Sequence, residues 1–246
     1  MARFFLPRIE IREDRATITG PELNHLRVLR LRPGDRVILF DDAGWEHEGI
    51  IRTLGEGRGD IAIIRSYQID NESPLKVILA LALTKGEKMD WVIEKATELG
   101  VHTIVPFVSS YTVPKLTERK AVQRAARWHN IALSAAKQCG RVRIPEISAL
   151  TEFRDFVQAG SADDALRLLF WEKESQQGFS ELKNSQISVG EIVVMIGPEG
   201  GFSSQEAALA LEHKFKPVRF GPRILRAETA AVAAVSAVQL LWGDLR

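Results

Sequence analysis

The chain has 246 residues, enough for one large or two small domains. With 45% hydrophobic and 26% charged residues it has the composition of an ordinary soluble globular protein, and its net charge of +1 says nothing by itself about partners. A single cysteine, Cys139, excludes internal disulfides and any CxxC metal site and points to a reducing, cytoplasmic compartment. The opening Met1-Ala-Arg-Phe-Phe-Leu-Pro7 is too short an apolar run for an export signal. The most apolar segment, the thirteen residues from Ala230 to Trp242, contains Ser236 and Gln239. A bilayer requires about 20 apolar residues, so this segment reads as a buried helix.

In chain order, residues 1–72 read as a small β-rich domain. Short, partly alternating runs at Arg3–Leu6, Ala16–Thr19, Arg36–Asp41, Glu48–Leu54 and Asp60–Tyr67 are separated by Gly, Asp and Pro turns. One helix interrupts them from Pro21 to Leu31, with Pro21 suited to a first turn. A compact barrel with one helix is the economical architecture. Asp70-Asn-Glu-Ser-Pro74 is polar and turn-forming, which sets the boundary of a second domain, 73–246.

There the pattern changes. Lys76–Leu83 is a continuous apolar strand of the buried, parallel kind. Lys88–Leu99 has helical spacing and closes on Gly100, a suitable residue just past a helix end. Next come a strand at Thr103–Val108, a long helix over Thr117–Cys139, a brief strand near Ile144 and a helix at Glu152–Gln158. Strands at Ala165–Trp171 and Glu191–Ile196 follow, then a helix at Ser204–Phe215, a strand at Val218–Phe220 and the final helix. Strands alternating with helices predict an α/β domain with a mainly parallel sheet. Glu174–Ser188 is the most loop-like interior stretch.

Two stretches organise this second domain: Ile192-Val-Val-Met-Ile-Gly-Pro-Glu-Gly-Gly-Phe202 and Val218-Arg-Phe-Gly-Pro-Arg-Ile-Leu-Arg-Ala-Glu-Thr-Ala230. In each, an apolar run stops at Gly-Pro, crosses a tight loop and enters a helix. Ser203 followed by Glu206 is a capping box. Gly197, Gly200 and Gly201 are expected to take positive φ and let the backbone approach a bound group. Two such loops at the ends of neighbouring strands describe a ligand crevice.

The ionisable residues exclude several chemistries. No Ser lies in a GxSxG context, and His25, His47, His102, His129 and His213 show no metal-ligand spacing. There is no Walker loop and no GxGxxG after the first strand of the second domain, which removes a standard dinucleotide site. What is left is a cofactor gripped largely by backbone. Glu199 has two readings: anchoring a ligand hydroxyl or ammonium, or complementing the dipole of the next helix. Glu228 in a first turn is favoured electrostatically whatever the function. Arg226 is not, because a cation near a helix N-terminus opposes the dipole, and an anionic substrate would explain it. Phe202, Phe220 and Trp171 stand at strand or loop ends, where they stack on a base or serve the core.

Charge is segregated. Between Lys115 and Arg143 eight Lys/Arg face one acid, Glu118, and five bases with no acid lie between Lys214 and Arg226. Such stretches suggest a polyanion partner, the alternative being a solvated helix face.

The two glycine loops resemble the signature of the SPOUT-superfamily RNA methyltransferases, most closely the family that methylates N3 of a uridine in bacterial 16S ribosomal RNA. Leu83-Thr-Lys-Gly-Glu-Lys-Met-Asp90, Glu94-Lys-Ala-Thr-Glu-Leu-Gly100 and His25-Leu-Arg-Val-Leu-Arg30 add to the match, which covers almost the whole chain. The resemblance implies a small PUA-like β-barrel followed by a SPOUT-type α/β domain with a trefoil knot, a homodimer, and S-adenosylmethionine held in the knot loops. On it, Gly197, Pro198, Glu199, Gly200, Gly201 and Phe202 line the cofactor site, Phe220, Gly221, Leu225, Arg226, Glu228, Thr229 and Ala230 complete it, and Trp171 and Glu172 sit at a third strand end. Arg226, Glu228 and Glu199 are the catalytic candidates, and no metal is implied. The RNA or small ribosomal subunit would be held by Arg3, His25, Arg27 and Arg30 of the first domain. Lys85, Lys88, Lys115, Arg124, Arg127, Lys137, Arg141 and Arg223 of the second would share in that contact. The alternatives are a related enzyme acting on another RNA position, such as a ribose 2′-hydroxyl or a tRNA base, and a non-catalytic RNA-binding assembly factor.

Overall fold

The computed structural model describes residues 1–7, 10–12, 14–160, 162, 164–173, 178–179 and 189–245. The chain divides into two compact units: Met1–Glu72 with Ala136–Ile144, and Ser73–Ala135 with Pro145–Arg246.

The first unit is built on a mixed sheet of β1 (Ala2–Phe5), β2 (Arg15–Ile18), β3 (Arg36–Phe40), β4 (Trp45–Leu54) and β5 (Gly59–Gln68), in the order β1-β3-β4-β5-β2. Only β1 and β3 pair in parallel. Register shifts at Glu48/Gly49 and Ile51/Thr53 are bulges that bend β4. Curling brings alternate side chains such as Phe4, Ile18, Val37, Leu39, Ile51 and Ile61 into one apolar core, closed by Leu23 and Leu26 of helix α1 (Gly20–Val28). The sequence predicts α1 to Leu31. It stops earlier because Arg30 turns to φ 56°. The sheet is an open, curled path rather than a closed barrel among the described residues, with β1 and β2 as its edges.

The segment Ala136–Ile144 was expected in the second domain. It belongs to the first unit because its polar groups are satisfied there. Arg141, 7% exposed, bonds the Glu72 carboxylate through Nε and Nη2 (3.0 and 2.7 Å), and the same carboxylate accepts the Val142 and Arg143 amides. Arg3 donates to the carbonyls of Gly140 and Arg141, and Lys137 pairs with Glu22.

The second unit holds a parallel sheet of β6 (Lys76–Ala82), β7 (Thr103–Val108), β8 (Glu146–Ile147), β9 (Thr151–Glu152), β10 (Leu166–Phe170), β11 (Glu191–Ile196) and β12 (Lys216–Val218). Its order is β12-β10-β11-β6-β7-β8, with β9 also on β7. The helices are α2 (Lys88–Glu98), α3 (Glu118–Cys139), α4 (Phe153–Ala159), α5 (Ser204–Glu212) and α6 (Ala227–Trp242). The brief strand expected near Ile144 is at Glu146–Ile147, and the strand expected at Val218–Phe220 ends at Val218, which leaves Phe220 in the loop. Of the loop-like stretch Glu174–Ser188, residues 174–177 and 180–188 lie outside the described residues, and Gly178 forms a parallel bridge with Arg219.

Because β10, β11 and β12 run parallel, with Leu168 opposite both Val194 and Lys216, their carboxyl ends reach one edge of the sheet. Phe202, 1% exposed, anchors the loop after β11 beneath that edge, its ring 6.4 Å from Phe107 and 5.7 Å from Phe153. Helix α6 buries Ala227, Ala231, Ala234, Val235 and Val238 on one side. Val232, Ala233, Ser236 and Ala237 are half-buried and Leu240 is exposed, so the helix is not enclosed on every side within the subunit.

Candidate active site

A pocket of about 370 Å³ opens at the carboxyl edge of the second unit's sheet. Its walls are Phe170, Trp171 and Glu172 after β10, residues 196–202 after β11, residues 218–220 and 223–227 after β12, and Ala230 of α6. Gly200 and Leu225, 25 positions apart, therefore share one hollow. Of the sequence candidates, Gly221, Glu228 and Thr229 lie outside this wall.

The glycines serve it in different ways. Only Gly201 has the expected positive φ, 70°, whereas Gly197 and Gly200 do not. Their small size is needed for packing instead. A Cβ on Gly197 would stand 3.0 Å from the Phe202 ring, and one on Gly200 would stand 2.8 Å from Cβ of Tyr111. A Cβ on Gly201 would strike the Glu172 carboxylate. The absent side chains thus make room for Phe202, Tyr111 and Glu172 against the loop. Ser203 caps α5 by accepting from the Glu206 amide at 3.2 Å while Glu206 accepts from the Ser203 amide at 2.9 Å, which sets where the loop ends.

Glu199 is engaged by the segment that opens α2. Its Oε1 accepts from Lys88 Nζ at 3.0 Å and from the Lys85 amide at 3.3 Å. Burial pushes its carboxyl up, but its own backbone amide, Lys88 and the Lys85 amide together outweigh that and hold it below the ordinary value of 4.5. The same Lys88 Nζ lies 3.4 Å from Glu228 Oε2, and the Glu199 hydrogen bond is the main cause that raises the ammonium above 10.5. Lys88 thus ties the loop after β11 to the first turn of α6. Arg226 is the N-cap residue of α6, exposed, with no side-chain capping bond and no ion pair among the described residues. Phe220 stacks on Phe170 with centroids 4.7 Å apart and planes 22° apart, and the Trp171 indole N–H is buried without a partner among the described residues.

Residues 71–239 match the RNA methyltransferase domain family, and residues 18–64 match the RNA methyltransferase PUA domain family. The chain belongs to the RNA methyltransferase family. Within it, the ribosomal RNA small subunit methyltransferase E of Bacillus subtilis is 32% identical over 99% of this chain and 100% of its own. The crystal structure of a ribosomal RNA small subunit methyltransferase E from Neisseria gonorrhoeae, bound to S-adenosyl methionine, is 35% identical over the whole of both chains, with a TM-score of 0.90. A methyltransferase of Legionella pneumophila, solved with bound SAM, is 33% identical over 99% of this chain and 98% of its own, with a TM-score of 0.91.

The basic candidates divide by placement. Arg3 pairs with Glu46 at 2.6 Å, Lys137 with Glu22 and Arg141 with Glu72, so these three charges are neutralised inside the first unit rather than offered to phosphate. His25 packs its ring on Phe4 at 5.2 Å, and Arg27 donates to the carbonyls of Gly55 and Glu56. Arg127 bonds Asp90, which also receives the Trp128 indole N–H at 3.0 Å. Lys85, Lys115, Arg30 and Arg223 are exposed and Arg124 half-buried. Val218, Arg219, Ile224 and Ala227 are wall residues that the sequence does not single out, although all four lie in the quoted motif. Tyr111 carried no sequence signal, since only the sheet brings it to Gly200.

Proposed function

We propose that the protein transfers a methyl group from S-adenosylmethionine to N3 of a uridine in 16S ribosomal RNA. The observation that carries this is the closure of one 370 Å³ pocket by the two glycine loops, walled largely by main chain and apolar side chains, with the unpaired Arg226 at its rim. A pocket of that size suits a single small organic ligand. The pocket wall includes the loop of Gly197, Gly200 and Gly201, whose lack of side chains lets Phe202, Tyr111 and Glu172 pack against it, and a loop of that kind suits a cofactor held by backbone. Bound there, S-adenosylmethionine would supply an electrophilic methyl group on a sulfonium.

The chain's own contribution is mostly positioning, since a nucleophile must be aligned behind the methyl carbon. As N3 bonds to that carbon and loses its proton, negative charge spreads on to the flanking uracil carbonyl oxygens, and Arg226 would hold it. Glu199, held ionised below its ordinary range beside Lys88, is a weak base. It suits anchoring a ligand hydroxyl or ammonium. Glu228 and solvent are the alternatives for the N3 proton, and a Glu228→Gln variant with undiminished turnover would assign it to solvent.

The same reading includes the trefoil knot in these two loops, an RNA-binding role for the PUA-like unit, a cytoplasmic location and a homodimer. The half-buried Val232, Ala233 and Ala237 with exposed Leu240 on α6, and exposed Trp91 on the adjoining α2, support a subunit interface. Mass-spectrometric mapping of small-subunit RNA after incubation with the protein and cofactor tests the reaction: the gain belongs on N3 of one uridine. Calorimetry showing no affinity for S-adenosylhomocysteine would overturn it.

A further inference from the structure

The turn that follows β7 holds an aromatic side chain against the pocket loop, and no motif pointed to it. Thr112 N–H donates to the Ser109 carbonyl at 3.0 Å, and Ser109 N–H donates to Thr112 Oγ1 at 2.9 Å. Ser110 N–H donates at 2.8 Å to Oε1 of Glu206, itself buried by the capping box of α5. The backbone on both sides of Tyr111 is thus pinned. Its Cβ packs on the bare main chain of Gly200, a pocket wall residue, so closely that a methyl group there would sit 2.8 Å away. Tyr111 is nevertheless 51% exposed, and its hydroxyl has no hydrogen-bond partner among the described residues. A side chain fixed at its root, with an open ring, serves neither core nor hydrogen-bond network. Arg219, Arg223 and Arg226 on the pocket wall provide the positive charge that a phosphate backbone requires.

We propose that Tyr111 is a stacking platform for an unpaired base of the RNA substrate, beside the pocket that binds the methyl donor. Single-stranded bases splayed from their stack are commonly received by aromatic rings in this way. The proposal rests on the function given above and adds a substrate-positioning residue to it. In steady-state methylation of small-subunit RNA, Tyr111→Leu raises KM for RNA about 5- to 150-fold. Its affinity for S-adenosylmethionine by calorimetry stays unchanged, and Tyr111→Phe, which keeps the ring, restores the wild-type KM. Independently of activity, RNA substituted with 5-iodouridine cross-links under ultraviolet light to the wild-type peptide that contains Tyr111. A Tyr111→Leu protein with unchanged KM, or no cross-link in that peptide, overturns the proposal. So does a Tyr111→Leu defect that tracks loss of the dimer in sedimentation, which would make the ring a contact between copies. A wild-type protein that cross-links through Tyr111 yet transfers no methyl group defeats the enzymatic reading and leaves the platform standing.

Discussion

Arg226 opens α6 with its charge against the helix dipole and without a paired carboxylate among the described residues. If its role is to hold charge that develops on the uracil oxygens, Arg226→Ala lowers kcat about 10²- to 10³-fold, as loss of one preorganised donor does. Affinity for S-adenosylhomocysteine, measured by calorimetry, stays within about twofold if that role is purely electrostatic. Near-normal turnover would remove Arg226 from the chemistry. Glu199 allows a test by pH. Its folded value lies below 4.5, so its contribution to stability is full above that value and is lost as pH falls through the lower folded one. Lys88→Met removes a leading cause of the depression and leaves burial, which acts upward. The loss of thermal stability as pH falls from 4.5 through the lower folded value should therefore be smaller in Lys88→Met than in the wild type, and equal losses would show that the clasp does not operate in solution.

Among the elements, α5 is the one whose start was written most plainly. Ser203 and Glu206 satisfy each other's amides, and Ser203→Ala should cost about 1 kcal/mol in urea unfolding. The parallel strands were equally legible, because fully buried β-branched runs such as Ile192–Ile196 admit few other uses. Other features were not. The glycines at 197 and 200 look in sequence like left-handed turns, but what they accommodate is a Phe202 ring next door and a Tyr111 side chain 89 positions from Gly200. Short-range patterns carry no information on such distant partners. The charged run from Lys115 to Arg143 likewise read as one basic surface. Its last part is claimed by acids remote in sequence, Glu22 and Glu72, which a charge count along the chain does not pair. Helix α6 reads in sequence as apolar on all sides, buried in the domain or across a subunit interface, and its outward Leu240 supplies the test of assembly. Leu240→Glu should yield a monomer in sedimentation if that face joins two copies, and an unaltered mass would reject the interface.

For the molecule as a whole, the division of its positive charges decides what salt does. Lys137 and Glu22 are each 15% exposed and paired, whereas Lys115, Arg119 and Lys120 stand open at and before the start of α3. Should about four open cations meet single-stranded phosphates, log affinity for RNA falls against log salt with a slope of roughly −3. Removing one of them lowers that slope by about 0.7 and leaves folding alone, the expected result for Lys120→Ala in filter-binding titrations. Lys137→Met should do the reverse, lowering the melting temperature because Glu22 loses its partner while the slope stays put. The pair of variants separates a charge that binds nucleic acid from one that builds the first unit. If both altered the slope equally, the structural assignment of Lys137 would be wrong, and a flat salt dependence in the wild type would remove this surface from RNA recognition altogether.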